Sequence, residues 1–461
     1  MHTTSIPERF ITNLQALLPA GAVLTEPADC LPYGCDNSRR LVSPDVVVFP
    51  TNHEHIKEII ALCNQYNIPV LARGRATATT GATVPLHGGV VISFERMNRI
   101  LAIDPDNRVA VVEPGVINQD LQDAIKEHGF FWPPDPTSSA YCTIGGNVSC
   151  NSAGPRAVKY GTPRENILGL KAVAGDGSNV NAGVYTSKGV VGYDLTRLIA
   201  GSEGTLAVMT EITLKLTPLQ QEDRVIQAIY ATMESAAKAV AAIMAQPETP
   251  CALEFIDANA IEMIRSYSEV ELPHDAGAML MIEVDGNKEH IENALKQVSE
   301  AAKVEGLLTL EVAQTEEQAQ ALWRVRKALS PALKKVAPKK INEDVVVPVS
   351  NIPQLIAGLN ELSEQYQIKI VNFGHAGNGN IHVNLLINPD DSEEMKRAED
   401  CLDKVFDLVL ELKGTISGEH GIGIEKKKFV PREINPDTLE MMKKLKAVFD
   451  PAAILNPGKI F

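Results

Sequence analysis

The chain has 461 residues and a formal net charge of −15 at pH 7, with 44% hydrophobic and 22% charged residues. This composition is ordinary for a soluble globular protein of about two to three domains, and the acidic balance disfavours nucleic acid as the main partner. The 7 cysteines form no Cys-x-x-Cys pair, and no apolar run reaches the ~20 residues of a membrane span. The N-terminus carries no basic segment followed by an apolar run, so we expect a cytoplasmic protein, with attachment to the inner-membrane surface as the alternative.

The first half of the chain alternates short apolar strands with amphipathic helices. Residues 7–19 predict a helix, residues 44–50 predict a buried strand, and Thr51 is predicted to cap a helix that ends near Asn64. A later helix is predicted from Asn118 to about 128. Further strands are predicted at 69–72, 90–93, 100–103, 109–112, 167–174 and 212–216.

Three loops in this half are rich in glycine and hydroxyl-bearing residues. The first, residues 73–81, follows a strand and reads Arg-Gly-Arg-Ala-Thr-Ala-Thr-Thr-Gly. Backbone N–H groups in such a loop can hold phosphate oxygens, and Arg73 and Arg75 add positive charge. The loop matches neither a Walker loop nor a Rossmann fingerprint, and an ordinary surface loop is the alternative interpretation.

The second and third loops repeat this chemistry further along the chain. Residues 133–154 contain Thr-Ile-Gly-Gly-Asn at 143–147, where Gly145 and Gly146 would let a ligand approach the backbone closely. Residues 201–205 read Gly-Ser-Glu-Gly-Thr and lead into the strand at 212–216.

The composition changes at Pro218, after which the chain is richer in Ala, Glu, Gln and Lys. Strands alternate with helices there and predict a second, α+β domain that includes the segment 374–384. The predicted strands are 226–230 and 279–284, and the predicted helices are 233–246, 288–304 and 316–336, with a last helix from Pro436.

Residues 374–384 read Gly-His-Ala-Gly-Asn-Gly-Asn-Ile-His-Val-Asn between two apolar strands and predict a hairpin. Such a turn can bring His375 and His382 close together. Further on, Glu419 and His420 stand between glycines. Two imidazoles and a carboxylate suit a divalent metal with an open coordination position, whereas histidines beside glycines can also be turn residues without a ligand.

Five segments, taken together and in order, resemble the flavin-linked oxidases and dehydrogenases of the vanillyl-alcohol oxidase (PCMH) type. Within that family the chain is most similar to the branch of D-lactate dehydrogenases, D-2-hydroxyglutarate dehydrogenases and the glycolate oxidase catalytic subunit. The segments are 143–147 with 159–161, 201–206, 372–382, 417–423 and 450–459.

The resemblance implies an α+β fold. It would comprise a PCMH-type FAD-binding domain of two α+β subdomains (1–219) and an inserted α+β substrate or cap domain with an antiparallel sheet (220–412). A C-terminal return (413–461) would carry Glu419 and His420 and pack on the FAD domain.

The resemblance also implies a non-covalent FAD site, because covalent members place a histidine in the first loop and this chain has none there. Ala76 and Ala78 replace the glycines usual in relatives, and their β-carbons could crowd a phosphate or restrict φ. The cofactor residues implied are Arg73, Gly74, Arg75, Ala76, Thr77, Thr80, Gly81, Pro136, Thr143, Gly145, Gly146, Asn147, Ser149, Glu203, Gly204, Val208, Asn456 and Lys459.

For the second domain the resemblance implies that His375, His382 and Glu419 bind Zn²⁺ or another divalent metal. The implied substrate-binding residues are Arg326, Ser330 and Asn384, of which Arg326 and Ser330 would hold the substrate carboxylate. A surface charge on an amphipathic helix is the alternative for Arg326. Some relatives have a lysine where this chain has Asn342, and its absence favours a small acid such as D-lactate over D-2-hydroxyglutarate.

The implied reaction is oxidation of a D-2-hydroxy acid to the 2-oxo acid, with His420 as the general base. The electrons would pass to an external acceptor such as a quinone, a cytochrome or an electron-transfer flavoprotein. The open alternatives are a D-2-hydroxyglutarate dehydrogenase, a glycolate oxidase catalytic subunit, an oxidase using O₂, a non-catalytic flavin-binding subunit and a flavin-free zinc hydrolase. A homodimer is one open arrangement of the chain.

Overall fold

The structure, a computed structural model, describes residues 6–267 and 272–461, and the side chains of 266, 267, 325, 327, 328, 330, 331, 334 and 335 are outside that description. The strands are β1 (Val23–Leu24), β2 (Val46–Val48), β3 (Val70–Arg73), β4 (Val90–Ser93), β5 (Ile100–Asp104), β6 (Val109–Val112), β7 (Phe130–Phe131), β8 (Ile167–Ala174), β9 (Asn179–Gly183), β10 (Ala207–Lys215), β11 (Thr217–Pro218), β12 (Glu222–Tyr230), β13 (Ala252–Asp257), β14 (Ala278–Gly286), β15 (Leu307–Val312), β16 (Lys339–Val346), β17 (Lys369–His375) and β18 (Asn380–Ile387).

The α-helices are α1 (Glu8–Leu17), α2 (Pro27–Cys30), α3 (His53–Tyr66), α4 (Asn118–Lys126), α5 (Ile144–Cys150), α6 (Ala157–Tyr160), α7 (Leu195–Ile199), α8 (Met233–Ala245), α9 (Ala258–Tyr267), α10 (Ile291–Ala302), α11 (Glu316–Val336), α12 (Ile352–Tyr366), α13 (Ser392–Glu411), α14 (Val430–Glu433) and α15 (Pro436–Phe449). Short 3₁₀ helices lie at Leu31–Gly34, Phe94–Arg96, Pro163–Glu165, Val349–Asn351, Ala376–Asn378 and Lys427–Phe429.

The chain forms two compact units. Unit 1 comprises the chain up to Gly154 together with Gly161–Leu219 and Glu419–Phe461, and unit 2 comprises Pro155–Tyr160 and Gln220–Gly418.

Unit 1 contains a four-stranded sheet in the order β1-β2-β4-β3, in which β2, β3 and β4 run parallel. The valine-rich strands β2 and β4 are buried along their length, as expected for parallel strands covered on both faces. Helices α1 and α3 pack into the same core. The predicted cap of α3 was wrong by one residue, because the Asn52 side chain accepts the bond from the His55 N–H at 3.0 Å, in place of Thr51.

The second main sheet of unit 1 is antiparallel, in the order β5-β6-β10-β8-β9. The strands predicted at 100–103, 109–112, 167–174 and 212–216 are confirmed, and β10 begins earlier than predicted because its first residues pair with β8. Helix α5 was not predicted. It occupies part of the second small-residue loop and buries Ile144 and Val148 in the core beneath the sheet.

Unit 2 is organised on a seven-stranded antiparallel sheet in the order β15-β12-β14-β13-β17-β18-β16. Helices α9 and α11 pack on the sheet face that carries Ile256, Met279 and Phe373. Helices α8, α10, α12 and α13 also contact the strands. The predicted α+β class, with an antiparallel sheet in the second half, is therefore confirmed, and β17 and β18 form the predicted hairpin.

Within the described ranges, no helix combines the length and the apolar character that spanning a bilayer requires.

Candidate functional site

The first two small-residue loops of unit 1 lie against each other. The first loop leaves the carboxyl end of β3, and a β-carbon added at Gly74 would clash with the Thr143 hydroxyl. Thr143 caps α5 by accepting the Gly146 N–H at 3.2 Å. Only a glycine at position 74 therefore lets the loop reach the amino end of α5.

The third loop and the chain's return segment meet at the same place. Glu203 adopts φ +51°, and its buried carboxylate accepts the N–H of Ile422 at 2.6 Å and of Gly423 at 2.8 Å. The Asn456 amide donates to the Glu203 carbonyl at 2.7 Å. Lys459 in turn donates to the Asn456 side chain at 3.2 Å. Unit 1 thus gathers all three loops, the return segment and the C-terminal tail.

Several charged residues that were predicted to bind the cofactor have protein partners. Arg73 donates to the carbonyls of Cys35 at 2.6 Å and Pro32 at 3.2 Å, and burial lowers the pKa of its guanidinium. Arg75 is exposed. Burial lowers the pKa of Lys459 to about 8, against the opposing attraction of Glu203 and Asp36. Burial raises the pKa of the Glu203 carboxyl group, whereas the bonds from Ile422 and Gly423 lower it, and burial is the larger effect.

The glycines of the second and third loops differ in what surrounds them. A β-carbon at Gly145 would meet Pro114 at 2.6 Å, so this glycine is needed for packing. At Gly146 the added atom would meet only the Thr143 hydroxyl at 3.2 Å, and at Gly204 only the Ala72 β-carbon at 3.9 Å. The contact at Gly146 is tight, whereas the backbone at Gly204 has room beside it, which fits a ligand that contacts the main chain closely.

The remaining predicted cofactor residues have varied surroundings. Ala76 adopts φ +53°, a left-handed conformation that costs an alanine about 1–2 kcal/mol, whereas Ala78 has no positive φ. The Asn147 side chain contacts Asn118 and Cys142 and lies in the interior. The others are placed as follows: the Thr77 carbonyl accepts from Asn37, the Thr80 hydroxyl donates to the His420 carbonyl, Gly81 lies beside Ile424, Pro136 lies beside Gly154, the Ser149 carbonyl accepts from the Glu203 N–H, and Val208 is buried on β10.

In unit 2 the hairpin brings its two histidines together, as predicted. His382 on β18 pairs with Phe373, and His375 lies two residues further along β17, on the same face of the sheet. The imidazole centroids are 5.3 Å apart, and both side chains are buried.

A buried carboxylate that the sequence analysis missed holds one of these histidines. Glu254 lies on β13 directly opposite His375, and its Oε1 is 2.5 Å from Nδ1 of His375. The other oxygen, Oε2, accepts from Nε of Arg326 at 2.8 Å and lies 2.7 Å from its Nη2. Burial raises the pKa of Glu254, but His375 and Arg326 outweigh it, so the pKa lies below its ordinary value. The available signal was an acidic residue inside an otherwise apolar strand, Ala-Leu-Glu-Phe-Ile at 252–256.

The predicted substrate residues differ in how far the structure describes them. Arg326 on α11 is only 6% exposed and lies over the Phe373 ring, so it is not a surface charge. Asn384 is buried on β18, where its amide accepts from Asn342 at 2.6 Å and donates to the Val371 carbonyl at 3.1 Å. The side chain of Ser330 lies outside the described residues.

Glu419 and His420 begin the return segment of unit 1. The Glu419 carboxylate accepts the Gly154 N–H at 3.0 Å, and its carbonyl accepts from Ser152 at 2.9 Å. The Thr80 hydroxyl donates to the His420 carbonyl at 3.3 Å. These bonds fix the backbone on which both side chains are carried.

Comparison with known proteins connects these features to a family. The model of the "FAD linked oxidases, C-terminal domain" matches residues 219–460, and that of the "FAD binding domain" matches residues 44–183. The chain is 40% identical to the glycolate oxidase subunit GlcD of Bacillus subtilis (strain 168), covering 91% of this chain and 89% of that protein.

A second relative and a solved structure agree with this assignment. The chain is 36% identical to the D-lactate dehydrogenase of Archaeoglobus fulgidus, covering 93% of this chain and 95% of that protein. The crystal structure of p-cresol methylhydroxylase has a TM-score of 0.78 over 98% of this chain and 96% of that one, at 18% identity, and so supports the PCMH-type fold. By its sequence, the chain belongs to the family of FAD-linked oxidases.

Proposed function

We propose that the protein is an FAD-dependent dehydrogenase that oxidises a D-2-hydroxy acid, with D-lactate favoured, and passes the electrons to an external acceptor. The observation that carries the proposal is the buried Glu254, which joins His375 to Arg326 in unit 2 of a chain whose other unit contains the FAD binding domain. Glu254 thereby holds His375, a candidate metal ligand, beside Arg326, a cation that can bind the substrate carboxylate.

The metal in this proposal is zinc or another divalent ion, held by His375, His382 and Glu419. The donor chemistry fits, because two buried imidazoles and one carboxylate are a common ligand set for a catalytic zinc with an open position. His375 presents Nε2 to a metal because its Nδ1 faces Glu254.

The proposed roles of the protein residues follow from their chemistry. When bound, FAD supplies the two-electron acceptor and the metal supplies Lewis acidity. Arg326 orients the substrate carboxylate through its fork, and His420 accepts the proton of the substrate hydroxyl group. The amide pair of Asn384 and Asn342 provides no positive charge for a second, distal carboxylate, which supports a small monocarboxylate such as D-lactate.

The names of the two relatives support the same class of substrate, since glycolate and lactate are both small 2-hydroxy acids. The word "subunit" in the first name also keeps the glycolate oxidase catalytic subunit as an alternative for this chain. D-2-hydroxyglutarate is the remaining alternative substrate.

The test is anaerobic absorbance spectroscopy of the purified protein mixed in turn with D-lactate, D-2-hydroxyglutarate, glycolate and the L-enantiomers. We expect one D-acid to bleach the flavin bands and a chelator to abolish the bleaching while the flavin stays bound. A yellow protein that no acid bleaches would favour a non-catalytic flavin-binding subunit. A colourless protein that cannot be reconstituted with FAD would refute the proposal.

The role of His420 is tested separately with His420→Ala. The variant should retain FAD and metal but reduce the flavin about 10²–10⁴-fold more slowly, which is the usual contribution of a positioned general base. Flavin reduction at close to the wild-type rate would remove His420 as the base.

A further inference from the structure

We infer that Glu254 is a positioning residue that serves the metal site and the substrate site at once, by fixing the ring of His375 and the guanidinium of Arg326. The inference rests on the proposed function. It concerns a residue that contacts neither metal nor substrate in that proposal and acts through the two that do.

Glu254 occupies a rigid position in unit 2. Its strand β13 lies between β14 and β17 inside the seven-stranded sheet, where Glu254 pairs with Met281 on one side and His375 on the other. The side chain is 1% exposed. A charge buried in this way is tolerated only when it is paired and hydrogen-bonded, and both of its oxygens have such partners.

The first consequence concerns the metal ligand. The contact of Oε1 with Nδ1 of His375 assigns the proton of the ring to Nδ1 and leaves Nε2 as the donor atom for a metal. A carboxylate in this position orients the ring and makes it a more basic ligand. Loss of such a partner lowers metal affinity by about 10–100-fold.

The second consequence concerns the substrate carboxylate. A guanidinium has five N–H donors. Oε2 of Glu254 accepts the N–H of Nε in Arg326 and lies 2.7 Å from Nη2, so it faces the Nε side of the group. The edge formed by Nη1 and Nη2 is the one that Glu254 does not use, and it can bind a second carboxylate through two parallel bonds. The guanidinium carbon lies 4.8 Å from the centroid of the Phe373 ring, within the range of a cation–π contact.

One carboxylate thus sets the orientation of two groups whose positions along the chain are distant. A merely structural ion pair would affect stability alone. If Glu254 positions both groups, metal affinity and substrate affinity should weaken together when Glu254 loses its charge, while the FAD content is unchanged.

The experiment uses the purified holoenzyme and the variant Glu254→Gln, which keeps the size of the side chain. Zinc affinity is measured by competition with a chromophoric chelator in the absence of substrate, and KM and kcat are measured with the D-acid that bleaches the wild-type flavin. We expect the zinc Kd to rise about 10–100-fold, and KM to rise about tenfold, as for about 1.4 kcal/mol of lost binding. At saturating zinc and substrate, kcat should change less than KM.

Glu283→Gln is the matched control. Glu283 lies on the neighbouring strand β14 and is also buried, but its partners are Trp323 at 2.7 Å, Cys251 at 3.4 Å and Arg156 at 3.7 Å, none of which is a proposed metal or substrate residue. This variant should keep the wild-type zinc Kd and KM. Should Glu254→Gln fail to fold, as judged by circular dichroism, Glu254→Asp retains the charge on a shorter side chain and should show the same paired losses to a smaller extent.

The outcomes separate the two ideas. Wild-type zinc affinity and KM in Glu254→Gln, or equal losses in Glu283→Gln, would overturn the positioning role while leaving the proposed function intact. A wild-type protein that binds no zinc and is reduced by no D-acid would refute the proposed function and remove the inference with it.

Discussion

Glu203 is the residue of unit 1 whose replacement should lower the free energy of unfolding most clearly. It accepts the backbone N–H groups of Ile422 and Gly423 and so ties the segment after His420 to the third small-residue loop. Glu203→Gln keeps the volume of the side chain but replaces one acceptor oxygen by an NH₂ group, which would face a backbone donor. One bond is then lost, and one buried N–H is left without an acceptor.

The magnitude follows from the bond type. A hydrogen bond to a charged acceptor contributes about 1.5–3 kcal/mol, and the cost of burying the carboxylate, which raises the pKa of Glu203, offsets part of this. We therefore expect a net loss of about 2 kcal/mol in the free energy of unfolding. For a unit of this size that corresponds to a fall in Tm of about 4–8 °C.

The assay is thermal unfolding at pH 7 followed by circular dichroism, with Glu211→Gln as the control. Glu211 pairs with Lys171 at 2.9 Å in the same unit, but the Lys171 side chain is half exposed. An exposed pair of this kind contributes about 0–1 kcal/mol, so the control should shift Tm by no more than about 4 °C.

A fall in Tm of less than about 1 °C for Glu203→Gln would refute the reasoning. It would mean that the Glu203 carboxyl group is protonated in the folded protein, because the neutral acid is the form that glutamine imitates. The bonds from Ile422 and Gly423 would then not be charge-assisted and would not be what holds the return segment.

Three further predictions concern the same unit. Burial lowers the pKa of Lys459 to about 8 from 10.5, so between these pH values the unfolded chain binds more protons than the folded one. The free energy of unfolding should therefore rise with pH in this range, by at most about 1.4 kcal/mol per pH unit. Urea titrations should find this rise missing in Lys459→Met, and an unchanged slope would contradict the lowered pKa. Ala76→Gly relieves the left-handed backbone and should leave the free energy of unfolding close to that of the wild type, whereas Ala78→Gly should lower it by about 0.5–1 kcal/mol in the same titrations. Equal losses in the two variants would argue against strain at Ala76. Gly74→Ala should destabilise the protein much less in a Thr143→Ala background than alone, because the clash is with the Thr143 hydroxyl, and additive losses would place the clash elsewhere.

Much of the local structure was predictable because its causes lie close together in the chain. The period-2 pattern after residue 380 and the Gly/Asn turn before it predicted the hairpin and the approach of His375 to His382. The order of the small-residue loops carried the family resemblance, which the matches over residues 44–183 and 219–460 confirm. Local prediction failed at the cap of α3, where Thr51 and Asn52 are adjacent residues that can both cap a helix. The helix begins at His53, which makes Asn52 the cap.

The partners of the buried charges were not predictable in this way. Nothing near Arg73 indicated that its guanidinium would be bound by the carbonyls of Cys35 and Pro32. Nothing near position 203 indicated that Glu203 would hold backbone 219 and 220 residues further on. A charged residue in a ligand-like loop looks the same in sequence whether it serves the ligand or the loop.

By itself, then, the sequence determined the α+β class, the family and many of the strands and helices, and it supplied candidate residues for a flavin, a metal and a carboxylate, since periodicity, turn chemistry and ligand chemistry are properties of neighbouring residues. Only the tertiary structure decided which of these residues are bound to one another. Glu254 meets Arg326 across 72 residues and His375 across 121, through the order and register of strands in the seven-stranded sheet. Strand order is set by packing of the whole domain, which no short stretch of sequence encodes.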